Sequence, residues 1–226
     1  MRLAVATLAA AACFAASVLA LAWSWADLTV SAARAPEQAK RFAQITPNRW
    51  REAFHRLHQA RALDPLNANY TAELGRYHAW LAWRSDRATE ASRSYRQRSR
   101  ADYAEAIGRR PTWGYAWANY AEATLLAGVT GPGANLALER AMVLAPWEAK
   151  TQIKSLLVGL SLWNGLSEAQ RNEVTATLRR ALFVGDDVEL IIRMAVQSGQ
   201  VTLLEGMLTQ ARHRVLLGRV IAQSGR

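Results

Sequence analysis

Apolar positions along this chain fall into two regimes. Residues 3–26 form an uninterrupted run of 24 residues without a charge, and from about residue 50 onward apolar residues recur between polar ones at helical spacing. In the second regime one arrangement returns three times, as Ala53-Leu57-Ala60-Pro65, Ser99-Tyr103-Ala106-Pro111 and Ala134-Leu138-Ala141-Pro146. Small residues seven apart lie on one face of a helix and admit a second helix closely. The bulky residue between them fills the contact, and the proline forbids the helix from continuing. Each copy therefore predicts the second helix of a helical hairpin.

First-helix patterns follow two of the prolines: Tyr70-x3-Leu74-Gly75 after Pro65 and Trp117-x2-Tyr120-Ala121 after Pro111. Together the two sets of positions resemble the tetratricopeptide repeat family, over roughly residues 50–186. The resemblance implies an all-α fold, a right-handed α-solenoid of antiparallel helix pairs, and the apolar run before it predicts an N-terminal transmembrane helix. Pro111 to Pro146 is 35 residues, one more than the family period, whereas Pro65 to Pro111 is 46 and carries about a dozen extra. A weaker fourth copy is Val174-Leu178-Ala181-Asp186, preceded by a first helix expected over Ala149 to Trp163.

Such repeats bury their apolar faces only by stacking, so the terminal units need caps. Two further helices, Asp187 to Ser198 and Val201 to Ser224 parted by Gly199, suit that task, with Asp186-Asp187 read as a helix stop and N-cap. At the other end Pro36 and Pro47 bracket a short polar stretch, which predicts an incomplete first hairpin. The expected organisation is an anchor or uncleaved signal at 1–33, a linker at 34–48, repeats at 49–186 and capping helices at 187–226.

The apolar run is long enough, at about 1.5 Å per residue, to cross a bilayer core of about 30 Å. It exceeds the usual signal-peptide core, and Trp23 and Trp25 stand where an interfacial aromatic belt would begin. An uncleaved anchor is preferred to a cleaved signal with sites after Ala32 or Ala33, or to a lipid-modified Cys13, which apolar sequence follows for thirteen residues. The flanking charges, Arg2 against Arg34, Lys40 and Arg41, are nearly balanced. An apolar segment behind Met-Arg is the usual export signal, so the expectation is a single-pass bacterial inner-membrane protein with the repeats on the periplasmic side. Cys13 is the single cysteine, which excludes disulfides within the chain.

Charge adds a second theme. The chain carries 28 Lys plus Arg against 18 Asp plus Glu, for a formal net charge of +10, and 25 of the basic residues are arginine. Guanidinium forks suit carboxylates, phosphates and sulfates. The densest stretch holds Arg84, Arg87, Arg93, Arg96, Arg98 and Arg100 within the extra residues between repeats. It predicts an arginine-rich hairpin extension into solvent, and a basic patch for anionic lipid or polysaccharide. Nothing resembling a helix-turn-helix, an RNA-binding motif or a phosphate-cradling loop accompanies the charge, so no nucleic-acid partner is expected.

Catalytic chemistry leaves little trace. His55 and His58 share a helix face without a third ligand, and His78 and His213 are scattered, so neither a metal nor another cofactor is expected. No nucleophile-elbow pattern connects serine, histidine and aspartate. Most of the nine tryptophans read as packing rings at hairpin seams. Stacked hairpins instead offer a groove along the first helices, for which Asn69, Arg76, Tyr115, Asn119, Glu122, Lys150 and Lys154 are the candidates. Only Asn119 and Lys150 suit the carboxylate-clamping mode of the family. The reading is a non-catalytic envelope scaffold that binds a protein partner. It looks similar in size and anchoring to small accessory proteins of bacterial exopolysaccharide synthesis and export. Alternatives are direct binding of an anionic polymer or lipid through arginine, and an adaptor or chaperone of another envelope pathway such as cytochrome maturation.

Overall fold

The computed structural model describes residues 2–38, 47–184 and 187–224, and every regular element among them is helical. In chain order these are α1 (Arg2–Gln38), α2 (Pro47–Leu63), α3 (Ala68–Arg84), α4 (Glu90–Arg109), α5 (Gly114–Leu126), α6 (Pro132–Leu144), α7 (Ala149–Ser161), α8 (Glu168–Val184), α9 (Val188–Gln197), α10 (Val201–Glu205) and α11 (Ala211–Ser224), with a 3₁₀ turn at Trp163–Gly165.

The turns follow local chemistry. Asn67 accepts the Asn69 amide at 3.1 Å and Thr89 the Ser92 amide at 3.2 Å, capping α3 and α4. Pro65, Pro111 and Pro146 lie in the turns after α2, α4 and α6. Pro132 opens α6 behind Gly131, whose φ of +108° suits only glycine.

Helices α3 and α4 run antiparallel, as their register shows. Ala82 accepts the Ser92 hydroxyl, His78 meets Asp102, the Gly75 backbone lies against the Tyr103 ring, and Thr71 meets Arg109. Trp50–Trp80 and Phe54–Tyr77 stacking fixes the same relation between α2 and α3. Gly114, at the start of α5, lies against Ala145 just past the end of α6. Beyond neighbours, α5 also packs on α7, α6 on α8 and α7 on α9.

Every position of the three-fold pattern, from Ala53 to Ala141, and of its fourth copy through Ala181, is buried, except the turn positions after each helix. A continuous core joins Leu138, Leu156, Leu178, Ile191 and Leu204, with smaller clusters around Leu57–Leu74 and Ala72–Tyr103. The extra residues between the first two prolines lengthen both helices: α3 has 17 residues and α4 has 20, against 13 each in α5 and α6.

Three expectations need correction. The first hairpin is not short of a partner, because α1 continues as one helix to Gln38 and packs on α2, with Ala26 fully buried against Ala53, Leu57 and Ala60. The expected linker at 34–48 is thus part helix, while residues 39–46 lie outside the described residues. The second capping helix is two, since the chain breaks after Glu205 so that Leu208 can bury, and α11 then turns back onto α9. Asp187 precedes α9 without making a side-chain cap bond; Asp186 lies outside the described residues.

Among the described residues one helical segment, Thr7–Thr29 in α1, is long and apolar enough to cross a membrane, with mean hydropathy 1.8. Phe14, Leu19 and Leu21 on it are exposed, as a lipid-facing helix requires and a core helix does not.

Candidate partner-binding groove

A half-open cavity of about 520 Å³ lies among α3, α4, α5 and α7. Its floor comes from first helices: Arg76, Ala79 and Trp80 of α3, Asn119, Glu122 and Ala123 of α5, and Lys154 of α7. Register explains the alignment, because Asn119 and Glu122 are one turn apart on α5 and face the same way. Tyr103 and Ser99 of α4 close one side, and Trp83, Arg87 and Arg96 form the rim.

The seven groove candidates therefore divide. Arg76, Asn119, Glu122 and Lys154 converge on the cavity. Asn69 serves the α3 cap, Tyr115 lies at the start of α5 with its ring 5.7 Å from Trp113, and Lys150 is exposed on the first turn of α7. The basic patch divides as well, and it is not a site apart from the groove, because Arg87 and Arg96 line the same cavity. Arg84 lies 5.3 Å over the Trp80 ring, Arg93 pairs with Glu90, and Arg98 is exposed on α4. Arg100 turns to the Tyr120 ring, 5.9 Å away.

Electrostatically the lining holds Arg76, Arg87, Arg96 and Lys154 against one carboxylate, Glu122, which pairs with Lys154. Arg76 pairs with Glu73 beside the cavity. Arg96 donates to the Ser92 hydroxyl at 2.9 Å and the Arg87 carbonyl at 3.2 Å, which holds the rim guanidinium in place. Burial pushes the Tyr103 phenol well above its ordinary range, so the wall stays neutral. Ser99 is 1% exposed and its Oγ has no hydrogen-bond partner among the described residues. A buried hydroxyl left unpaired in this way costs about 1–3 kcal/mol relative to a satisfied one. Asn119 anchors itself by donating Nδ2 to the Tyr115 carbonyl at 2.7 Å. The arrangement suits an extended segment that offers a carboxylate or similar anion to Arg87 and Arg96, and apolar surface to Trp80 and Leu125.

The structure also joins residues that the sequence leaves apart. His78 Nδ1 lies 2.6 Å from Asp102 Oδ2, both side chains nearly buried, with Tyr95 stacked 6.3 Å from the imidazole. The pair locks α3 to α4. Among the described residues His78 makes no second hydrogen bond, so no nucleophile is linked to it. His55 is exposed and bonded to Gln59, while His58 meets the edge of Phe54. No cluster of three histidine, cysteine or acidic residues able to hold a metal occurs among the described residues. Of the tryptophans, Trp50 is buried on Trp80, but Trp83 and Trp147 are 76% and 70% exposed and do not staple repeats.

No family model matches this chain, and no curated protein matches it.

Proposed function

We propose that this chain is a non-catalytic, membrane-anchored scaffold of the bacterial envelope whose groove holds an extended segment of a protein partner. In this reading α1 crosses the inner membrane once, and α2–α8 stack as a tetratricopeptide-like right-handed solenoid on the periplasmic side. Support for the stacking comes from the buried small-large-small stripes and from the packing of α5 on α7 and α6 on α8. The groove carries the functional reading: α3, α5 and α7 contribute polar side chains to one cavity, bordered by apolar surface. A setting such as exopolysaccharide synthesis or export rests on the resemblance in size and anchoring alone.

A direct binder of anionic polymer is the second reading, favoured by the four cations facing one carboxylate. Both are tested by in-cell crosslinking with photoreactive residues at Glu122 and Leu126 in the groove, and a control at the exposed Arg98. Reproducible capture of one envelope protein from the two groove positions and not from Arg98 supports the scaffold. Capture of glycan or lipid from the groove, lost steeply with added salt, replaces it with the polymer reading. Equal capture at all three positions refutes both.

A further inference from the structure

The junction between α1 and the helical domain has no slack. Ala26 is fully buried among Ala53, Leu57 and Ala60, and the Tyr70 hydroxyl donates to Asp27 at 2.5 Å. Asp27 and Ala26 thus belong to the folded domain, and the part of α1 left for a bilayer ends near Trp25. Thr7 to Trp25 is 19 residues, about 28 Å of helix, close to one hydrocarbon core. Trp23 and Trp25 are exposed at its end.

Chain reach fixes the direction of α2 beside it. The α2–α3 register puts Tyr70 level with Arg61, and its bond to Asp27 then sets Ala26 near Ala60; were α2 parallel to α1, its start would lie about 37 Å from Gln38, at 1.5 Å per residue. The eight residues between Gln38 and Pro47 span at most about 30 Å. Helix α2 therefore runs antiparallel, and its C-terminal end approaches the apolar half of α1. Leu63 falls about level with Trp23, and the α2–α3 turn lies a few ångströms further toward the bilayer. Leu66 in that turn is 80% exposed and Leu63 is exposed beside it, with no surface among the described residues covering either.

We infer that the α2–α3 turn seats in the interface of the same bilayer that α1 crosses, so that the domain stands on the membrane instead of hanging from a tether. The inference rests on the reading of α1 as a membrane anchor. The occupant of this edge is the lipid interface, because the turn is continuous with the spanning helix through Ala26 and Tyr70, and Leu63, Leu66, Trp23 and Trp25 form one apolar-aromatic collar there.

A consequence follows for the arginines. Helix α3 leads away from the bilayer for 17 residues, about 24 Å, before Arg84 and Arg87. That is about three Debye lengths at physiological salt. The rim of the groove is therefore screened from the headgroups of its own membrane and faces ligands arriving from the aqueous side.

The test uses the full chain with Cys13→Ser and single cysteines from Leu66→Cys, Arg87→Cys and Leu19→Cys. Each is labelled with an environment-sensitive fluorophore in nanodiscs of phosphatidylcholine and phosphatidylglycerol. Leu66 and Arg87 are both exposed, so the labels leave the core intact. The label at 66 should be quenched severalfold more by headgroup-proximal spin-labelled lipid than the label at 87, and should resist aqueous iodide. If 66 and 87 respond alike while 19 stays protected, the domain is tethered and the inference is overturned with the anchor intact. Iodide access at 19 overturns the anchor and the inference together.

Discussion

Glycine-to-alanine replacements at two positions test the close helix approach on which the hairpins depend. At Gly114 an added Cβ would lie 2.6 Å from the Ala145 Cβ and 2.9 Å from the Ala145 backbone nitrogen. Alanine has no rotamer with which to withdraw, so α5 and the α6–α7 turn must separate by about 1 Å to restore ordinary van der Waals distance. Overpacking of this kind costs about 1–3 kcal/mol, against a gain of about 0.4–1 kcal/mol from a less flexible unfolded chain. The net expectation for Gly114→Ala is a loss of about 1 kcal/mol, which lowers Tm by about 2–4 °C in a chain of this size. At Gly218, inside α11, the same Cβ meets nothing within 4 Å. Gly218→Ala should therefore gain about 0.5–1 kcal/mol of helix propensity and raise Tm. Thermal unfolding of both variants of the full chain in detergent, followed by circular dichroism, reads the opposite signs. Equal stabilisation by both would refute the close packing of Gly114 on Ala145, and with it the antiparallel register of α5 and α6.

Two further expectations concern the site and its neighbourhood. Ser99→Ala removes an unpartnered buried hydroxyl, so the protein should unfold at an unchanged or slightly higher temperature; a clear loss of stability would mean that Ser99 is satisfied. Partial burial, then the adjacent His78 and Arg61, hold His58 below its ordinary value of 6.5, with Asp102 opposing. The unfolded chain then takes up that proton first, so this contribution to stability is present above about pH 6.5 and is lost as pH falls below it. Tm measured from pH 7.5 to 5 should fall less steeply in His58→Gln than in the parent, and identical slopes would refute the linkage.

Helices α2 to α8 were legible because their small-large-small stripes and turn prolines are local signals. In α4 the small-residue stripe extends back from Ser99 and Ala106 to Ser92 at the same seven-residue spacing. Ser92 and Ser99 are both buried, although the segment looks polar by composition. The groove was half legible. Arg76, Asn119, Glu122 and Lys154 follow from the first-helix register, but Arg87 in the α3–α4 turn and Arg96 on α4 join them through the packing of α4 beside α3 and α5, which spacing along the chain cannot express. The His78–Asp102 pair, 24 residues apart, carried no motif.

By itself the sequence determined the all-helical class, the position of most turns and the one segment able to cross a membrane, since each depends on periodicity within a single element. Tertiary structure alone decided that α1 is also the packing partner of α2, that two sets of charged candidates share one cavity, and that the Ser99 hydroxyl is buried without a partner among the described residues. Those facts depend on the distances between helices that burial of small residues sets, and a one-dimensional pattern records which face is small without recording what packs against it.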